Sequence, residues 1–254
     1  MRAVAAGGRA TGPVPATCAI AVMAKAPQSG RSKTRLCPPL TPDQAARLSA
    51  AFLRDTTENL RAVSAAAPVA AYAAYAPAGT EAMIAPHLAP GTALLLADGG
   101  VPAPAGVEGF GRCLFQAVAG LLARGHAAAC VLSSDTPTLP TRILTAAADI
   151  LLAPGDRAVL GACEDGGYYL LGLKRAHARP FADIAWSSDT VAATTRARLR
   201  ETGLDLVELD LWYDVDDAAS LARLTAERSG YPAPETRAAL AALDGATPRA
   251  EASA

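Results

Sequence analysis

Aromatic residues, histidine and surplus charge are all scarce in this sequence of 254 residues. Phe, Trp and Tyr make up 5% of the chain, there are three His, and 23 Lys and Arg stand against 24 Asp and Glu, for a formal net charge of −1. Proteins that bind nucleic acid through its phosphates carry a basic surplus, so that class is excluded. His87, His126 and His177 lie in segments without a candidate nucleophile, which excludes a Ser/His/Asp triad.

Long apolar runs and paired cysteines are also missing. The first 17 residues contain no apolar run of the length a signal peptide needs, and no segment reaches the roughly 18 apolar residues of a membrane span. The five cysteines are widely spaced and form no C-x-x-C pair, which is typical of reduced thiols. We therefore expect a cytoplasmic protein that does not act at a membrane.

The sequence is rich in hydrophobic residues, at 51%, and these alternate in short strand-like and longer helix-like segments. Strands are predicted at 18–24, 68–75, 93–97, 127–132, 158–162, 168–173 and 204–211, and helices at 41–63, 80–88, 110–123, 139–152, 190–201 and 217–228. This alternation predicts one α/β domain with a single doubly wound, mostly parallel sheet and helices on both faces. The domain should span residues 18–230, with residues 1–17 and 231–254 as loose tails.

A basic loop follows the first predicted strand. It carries Lys25, Arg31, Lys33 and Arg35 within eleven residues, together with Gly30. Ligands of open α/β sheets bind at the carboxyl ends of the strands, where this loop would lie, so it is a candidate polyphosphate site. The loop matches neither the Walker A nor the dinucleotide-binding glycine pattern. A solvated loop without a ligand is an equally open interpretation.

Two acidic motifs follow other predicted strands and are candidates for a metal site. Asp135, beside Ser134, ends the most apolar strand, and Asp214 and Asp216 follow the last strand. Carboxylate oxygens in such positions suit a hard cation such as Mg²⁺. Each of these residues also has a simpler interpretation, because Asp is a common N-cap of a following helix, and Asp135 could instead form an Asx turn before Pro137.

A third motif, Glu164 to Tyr169, places Asp165, Gly166 and Gly167 between two predicted strands. The two glycines would let a substrate approach the backbone beside a carboxylate. An ordinary hairpin turn of the Asp-Gly type explains the same residues and stays open as the alternative.

Five stretches in order along the chain carry a family resemblance. They are MAKAPQSGRSKTRL, SSDTPTLP, EDGGYYLLGL, IAWSSDTV and DVDD. Together they resemble the bacterial DUF2064 family, a glycosyltransferase-A-like group, over about residues 18–225. The opening stretch from KTRL to FLRDT is also similar to the guanylyltransferases of deazaflavin cofactor synthesis and, more distantly, to molybdenum cofactor nucleotidyltransferases.

The resemblance implies a glycosyltransferase-A, Rossmann-like domain and a role for each motif. The nucleotide phosphates would be bound by residues of the basic loop and by one residue of the SSDTPTLP stretch. These residues are Lys25, Gly30, Arg31, Lys33, Arg35 and Ser134. Mg²⁺ or Mn²⁺ would be held by Asp135 with Asp214 or Asp216. If the turn at Glu164 to Gly167 faces the nucleotide, Asp165 could act as general base or hold a sugar hydroxyl, and Lys33 would stabilise charge on the leaving group. The remaining substrate contacts would come from Gly166, Gly167, Tyr168, Trp186 and Ser187.

The sequence departs from the family pattern at two positions. Ser133 stands where a strict D-x-D motif has Asp, and Ser188 stands where the tryptophan motif has Thr. The first change removes one candidate metal ligand, whereas the second keeps the hydroxyl.

Three functions remain open on this basis. A glycosyltransferase would move a sugar from a nucleoside-diphosphate sugar to a small-molecule acceptor, whereas a nucleotidyltransferase would join a nucleoside monophosphate from a triphosphate to a small metabolite and release pyrophosphate. We place glycosyl transfer first because more of the chain matches that group. A noncatalytic nucleotide sensor is the third, since a fold alone does not fix a function. Association into a homodimer is left open.

Overall fold

The computed structural model describes residues 16–244 and contains one seven-stranded sheet. Its strands are β1 (Cys18–Lys25), β2 (Val69–Ala76), β3 (Ala93–Leu96), β4 (Ala128–Ser133), β5 (Arg157–Ala162), β6 (Tyr168–Leu173) and β7 (Asp205–Glu208). They are arranged in the order β3-β2-β1-β4-β6-β5-β7. All neighbouring pairs are parallel except those of β6, which runs antiparallel to both β4 and β5.

Seven α-helices are described, and the first six stand where the sequence predicts helices. They are α1 (Pro42–Ala66), α2 (Glu81–Ile84), α3 (Phe110–Ala123), α4 (Thr141–Leu152), α5 (Val191–Glu201), α6 (Ala218–Ala226) and α7 (Pro234–Asp244). Thr41 caps α1 as the sequence predicts. Its hydroxyl accepts the Gln44 backbone N–H at 3.3 Å, and the Gln44 side-chain oxygen accepts the Thr41 backbone N–H at 2.8 Å. Among the described residues, no helix combines the length and apolar character needed to cross a membrane.

Alternating residues of the strands face two hydrophobic cores, one on each side of the sheet. In β1, Ile20 and Val22 face the core beneath α1 and α4, whereas Ala19 and Ala21 face the core beneath α3 and α5. Side chains alternate in this way because successive residues of a strand point to opposite faces. The predicted doubly wound, mostly parallel α/β fold is confirmed.

The C-terminal segment differs from the prediction of a loose tail over residues 231–254. Pro234–Asp244 form α7, which packs along α1 and buries Thr236 and Leu240. Asp55 of α1 accepts the backbone N–H groups of Glu235 and Thr236, at 3.1 and 2.6 Å, and so caps the start of α7. The remainder of that predicted tail and most of the predicted tail at 1–17 lie outside the described residues.

The ends of the strands place the predicted motifs at one edge of the sheet, which we call the carboxyl edge. β1 ends there at Lys25, β4 at Ser133 and β5 at Ala162, and the antiparallel β6 begins there at Tyr168. The last strand is shorter than the predicted 204–211, and the chain after it returns to β5, where Trp212 pairs with Cys163. This return brings residues 212–217 to the same edge.

Candidate functional site

Lys33 lies at the centre of the carboxyl edge and joins three predicted motifs. Its ammonium donates to Asp135 Oδ1 at 2.7 Å, to Asp216 Oδ1 at 2.9 Å and to the Val215 carbonyl at 2.7 Å. The Asp135 carbonyl in turn accepts the Val215 N–H at 2.9 Å. The lysine side chain is only 8% exposed, so this is a largely buried charge with two carboxylate partners. Burial lowers its pKa, but Asp135 and Asp216 outweigh burial and raise the pKa above its ordinary value.

The loop that presents Lys33 is anchored at both ends. Lys33 itself has a left-handed backbone, with φ 51°, and it precedes a short 3-10 helix, Thr34–Leu36, whose Leu36 is fully buried. On the other side, the Gln28 carbonyl accepts the N–H groups of Arg31 and Ser32 at 3.1 and 3.0 Å. The loop is therefore a defined turn and not a freely solvated segment.

The remaining residues of the basic loop differ from Lys33 in exposure. Lys25, Gly30 and Arg31 are exposed. Arg35 is 75% exposed and forms an ion pair with the second oxygen of Asp216. The structure thus separates the predicted phosphate-binding cations into two that are engaged by Asp216 and two, Lys25 and Arg31, that face solvent.

Asp216 is held in its charged form by these cations. Burial raises its pKa, but Lys33 and Arg35 outweigh burial and the net pKa is lowered. The helix-capping role that the sequence left open for this residue belongs to its neighbour instead. Asp217 is the N-cap of α6 and accepts the Ser220 N–H at 2.8 Å.

Asp135 also has no capping role in the structure. The residue at the N-cap position of α4 is Pro140, which makes no side-chain capping bond. The Asp135 carboxylate accepts instead from Lys33 and from the Ser134 hydroxyl, the latter at 3.1 Å. Both predicted residues of this motif therefore face the carboxyl edge.

Asp214 belongs to a second acidic group next to Lys33. One carboxylate oxygen of Asp214, one of Asp165 and the thiol of Cys163 all lie within 4.8 Å of one another. Burial, followed by the charges of Asp165 and Asp216, raises the pKa of Asp214 to about 6. Burial also raises the pKa of the Cys163 thiol, so it is not a thiolate at neutral pH.

This donor set fits a hard divalent cation better than a soft one. Asp214 and Asp165 offer carboxylate oxygens, and Asp135 is close enough to contribute to the raised pKa of Asp214. Mg²⁺ and Mn²⁺ prefer oxygen ligands, whereas a soft metal would need an ionised thiol. A cation here would offset the mutual repulsion of these carboxylates, so the residues present fit the predicted Mg²⁺ or Mn²⁺.

The glycine motif forms the hairpin turn between β5 and β6. Asp165 Oδ1 accepts the Gly167 N–H at 2.8 Å, which closes the turn locally. Gly166 has φ 91°, and a β-carbon there would come within 1.9 Å of the Asp189 carbonyl oxygen. The hairpin interpretation is thus correct for the backbone, and the turn also presents Asp165 to the acidic group.

Trp186 of the tryptophan motif lies in an aromatic group beside this turn. Its ring contacts Phe110 edge-on, with centroids 5.7 Å apart, and Tyr168 at 6.5 Å. The Tyr168 hydroxyl is buried without a hydrogen-bond partner among the described residues, and burial raises its pKa. Ser187 next to Trp186 is exposed and has a left-handed φ of 66°. Substrate contact by these residues stays a prediction.

Cys163 and Phe110 are the site residues that sequence reasoning missed. The position of Cys163 at the end of a predicted strand, two residues before Asp165, was a usable signal. Phe110 opens α3 and is 45% exposed, but nothing in the sequence connects it with Trp186, which is 76 positions away.

Comparison with solved structures supports the fold assignment over nearly the whole chain. A protein of Desulfovibrio desulfuricans G20, provisionally assigned as a nucleotide-diphospho-sugar transferase, is 25% identical and aligns with a TM-score of 0.77, covering 91% of this chain and 96% of its own. A cytidylyltransferase of Leptospira borgpetersenii serovar Hardjo-bovis shares the fold at 12% identity and a TM-score of 0.50, with the same coverage. The transferase name of the Desulfovibrio protein agrees with the predicted enzyme class. No protein with a curated function matches the sequence.

The family resemblance is confirmed by a sequence profile. The profile of a family described as uncharacterized protein conserved in bacteria, DUF2064, matches residues 59–188, about half of the chain. This range includes Asp135, Asp165 and Trp186, whereas the basic loop and Asp214 to Asp216 lie outside it. The motifs within the match stand in the predicted order, and the chain therefore belongs to the DUF2064 family.

Proposed function

We propose that this protein is a metal-dependent glycosyltransferase that moves a sugar from a nucleoside-diphosphate sugar to a small-molecule acceptor. One observation carries the proposal: Lys33 gathers Asp135 and Asp216 at the carboxyl edge, beside the Asp165 and Asp214 carboxylates. Anionic and cationic groups in such proximity suit a ligand that brings both a divalent cation and phosphates.

The division of the basic loop favours a diphosphate donor over a triphosphate. Lys33 and Arg35 are neutralised by Asp135 and Asp216, which leaves Lys25 and Arg31 as the exposed cations of the loop. Arg35 stays paired with Asp216, so fewer than the four cations of the loop meet the donor, which matches the smaller charge of a diphosphate. The structural similarity to the Desulfovibrio protein supports the same choice.

In this proposal each group has a definite task. Lys25 and Arg31 bind the donor phosphates, and Asp135 and Asp214 are the metal ligands. When bound, the cation would stabilise charge on the departing diphosphate. Asp165 takes the proton of the acceptor hydroxyl, with Gly166 and Gly167 leaving room for the acceptor beside it, while Tyr168, Trp186 and Ser187 line the acceptor side.

The product distinguishes this function from nucleotidyl transfer. The purified chain is incubated with a panel of nucleoside-diphosphate sugars and, separately, nucleoside triphosphates, each with MgCl₂, MnCl₂ or EDTA. Metal-dependent release of nucleoside diphosphate supports the proposal, and pyrophosphate release from a triphosphate would replace it with nucleotidyl transfer. Thermal shift narrows the panel beforehand, because a ligand at 100 times its Kd stabilises the folded state by about 2.7 kcal/mol. Stabilisation without turnover of any donor would favour a sensor.

A further inference from the structure

The ammonium of Lys33 has no hydrogen left for a ligand. A lysine ammonium carries three N–H donors, and the three acceptors at 2.7, 2.7 and 2.9 Å belong to Asp135, Val215 and Asp216. In this arrangement Lys33 is bound by the protein itself and not by a nucleotide phosphate. The resemblance that predicted Lys33 as a phosphate ligand does not explain this saturation.

The same carboxylate serves two purposes in the proposed function. Asp135 Oδ1 accepts from Lys33, and Asp135 is also a ligand in the proposed metal site. A divalent cation bound by Asp135 would lie close to the lysine ammonium, and like charges at short range repel strongly in a partly buried site. Lys33 and the metal therefore compete for Asp135.

We propose that Lys33 is a positioning residue that occupies Asp135 until donor phosphates draw its ammonium away, so that metal binding is linked to nucleotide binding. This inference rests on the proposed function. In the protein alone the ammonium is the counter-ion of the acidic edge and opposes metal entry. Phosphates offer Lys33 a new anionic partner, and its departure leaves Asp135 to the metal.

The local structure suits an exchange made by the side chain alone. The buried Leu36 and the hydrogen-bonded turn at Gln28 fix the backbone on both sides of Lys33. The lysine ammonium also lies 5.5 Å from the centroid of the Phe52 ring, so part of its surroundings is apolar. Arg35 differs from Lys33 because its side chain is 75% exposed and its ion pair is with Asp216, not with Asp135.

Metal affinity without nucleotide tests the inference. Mn²⁺ is titrated into the full chain at low salt, and free Mn²⁺ is followed by electron paramagnetic resonance for the wild type, Lys33→Met and Arg35→Met. We expect Lys33→Met to bind Mn²⁺ about tenfold more tightly than the wild type, because Asp135 loses its competitor. Arg35→Met, the matched loss of one cation, should stay within about threefold. An affinity of folded Lys33→Met equal to or weaker than that of the wild type overturns the inference, since a merely structural lysine gives that result.

A second pair of variants covers the case in which Lys33→Met does not fold, because removing one partner of a buried ion pair is strongly destabilising. The double variant Lys33→Met, Asp216→Asn removes one charge of each sign, and Asp216→Asn alone is its reference. Tighter Mn²⁺ binding by the double variant supports competition for Asp135, and equal binding contradicts it. The titration needs no sugar nucleotide, so a failure of the proposed glycosyl transfer leaves this result readable.

Discussion

The Asp135 carboxylate binds the Lys33 ammonium at 2.7 Å and, in the proposed reaction, a divalent cation. Asp135→Asn keeps the size of the side chain and removes its charge. We expect the metal-dependent kcat/KM to fall about 100-fold or more, because a bound cation contributes several kcal/mol to charge stabilisation. Steady-state kinetics against Mg²⁺ concentration measure the effect. Asp210→Asn is the control, since the Asp210 carboxylate is 60% exposed and pairs with Arg142. Parental activity in Asp135→Asn would remove Asp135 from the site.

The ionised carboxylate of Asp214 should destabilise the folded, metal-free protein at neutral pH. Its pKa of about 6 is above the ordinary Asp value, so the folded state favours the protonated form. The destabilisation is absent below about pH 4, grows as pH rises towards 6 and is complete above it. We expect Asp214→Asn to raise the free energy of unfolding by about 1 kcal/mol at pH 7.5, a figure reduced for the partial exposure of the group.

Urea unfolding at several pH values, in EDTA, measures this difference. It should shrink between pH 6 and pH 4, where the wild-type carboxyl takes up its proton. Asp43→Asn, in the first turn of α1 and exposed, is the control for loss of a surface carboxylate. A pH-independent difference between Asp214→Asn and the wild type would contradict the assignment of the raised pKa to Asp214.

The β5–β6 hairpin is the element whose geometry depends most on one glycine. A β-carbon at Gly166 would lie 1.9 Å from the Asp189 carbonyl, and φ is 91°. We expect Gly166→Ala to lower the free energy of unfolding by at least ~2 kcal/mol and to displace Asp165. Gly203→Ala is the matched control, because its φ of 71° is also positive but nothing lies within 4 Å of the added carbon. Its cost should be about 1 kcal/mol. Equal losses in the two variants would show that the clash is relieved by movement of the loop.

Helix α7 is attached to the domain through Asp55 of α1. Asp55 is fully buried and accepts two backbone N–H groups at the start of α7, although burial raises its pKa. We expect Asp55→Ala to destabilise the protein by about 2 kcal/mol in urea unfolding, because two buried donors lose their acceptor. Asp55→Asn should fall between Asp55→Ala and the wild type, since it keeps one acceptor oxygen.

Glu58→Ala on the same helix is the control for Asp55→Ala. Its partner Arg61 is 59% exposed, and such surface ion pairs contribute less than about 1 kcal/mol. A loss of stability in Glu58→Ala as large as that in Asp55→Ala would assign the effect to α1 itself and not to the attachment of α7.

For the molecule as a whole, periodic patterns in the sequence predicted most of the helices and strands. They did not predict the direction of β6 or the helix α7 that packs on α1. The strands β1 and β4 are continuous apolar runs between turn signals, and α1 begins at a capping pattern readable in the sequence. The direction of β6 was not readable, because an apolar run looks the same in a parallel and an antiparallel neighbour. α7 was missed because its buried face is provided by few large side chains, chiefly Leu240.

The site was predictable as a set of motifs and not as a set of contacts. Residue types and strand ends placed Asp135, Lys33 and Asp216 at the same edge of the sheet. The sequence could not show that Lys33 binds both carboxylates, because these bonds depend on how the chain returns after β7. The sequence could not show the proximity of Cys163 to Asp214 either, because Asp214 also lies in the segment that returns after β7.

The bond between Lys33 and Asp216 closes a loop of 183 residues, and this has a consequence for biosynthesis. A ribosome adds Lys33 to the chain 183 residues before it adds Asp216. At roughly 5–20 residues per second, about ten seconds or more separate the two events. Lys33 lacks all three acceptors until residue 135 has been made, and it lacks two of them until residues 215 and 216 follow. The nascent protein therefore holds Lys33 in its complete set of contacts only after residue 216 has been translated.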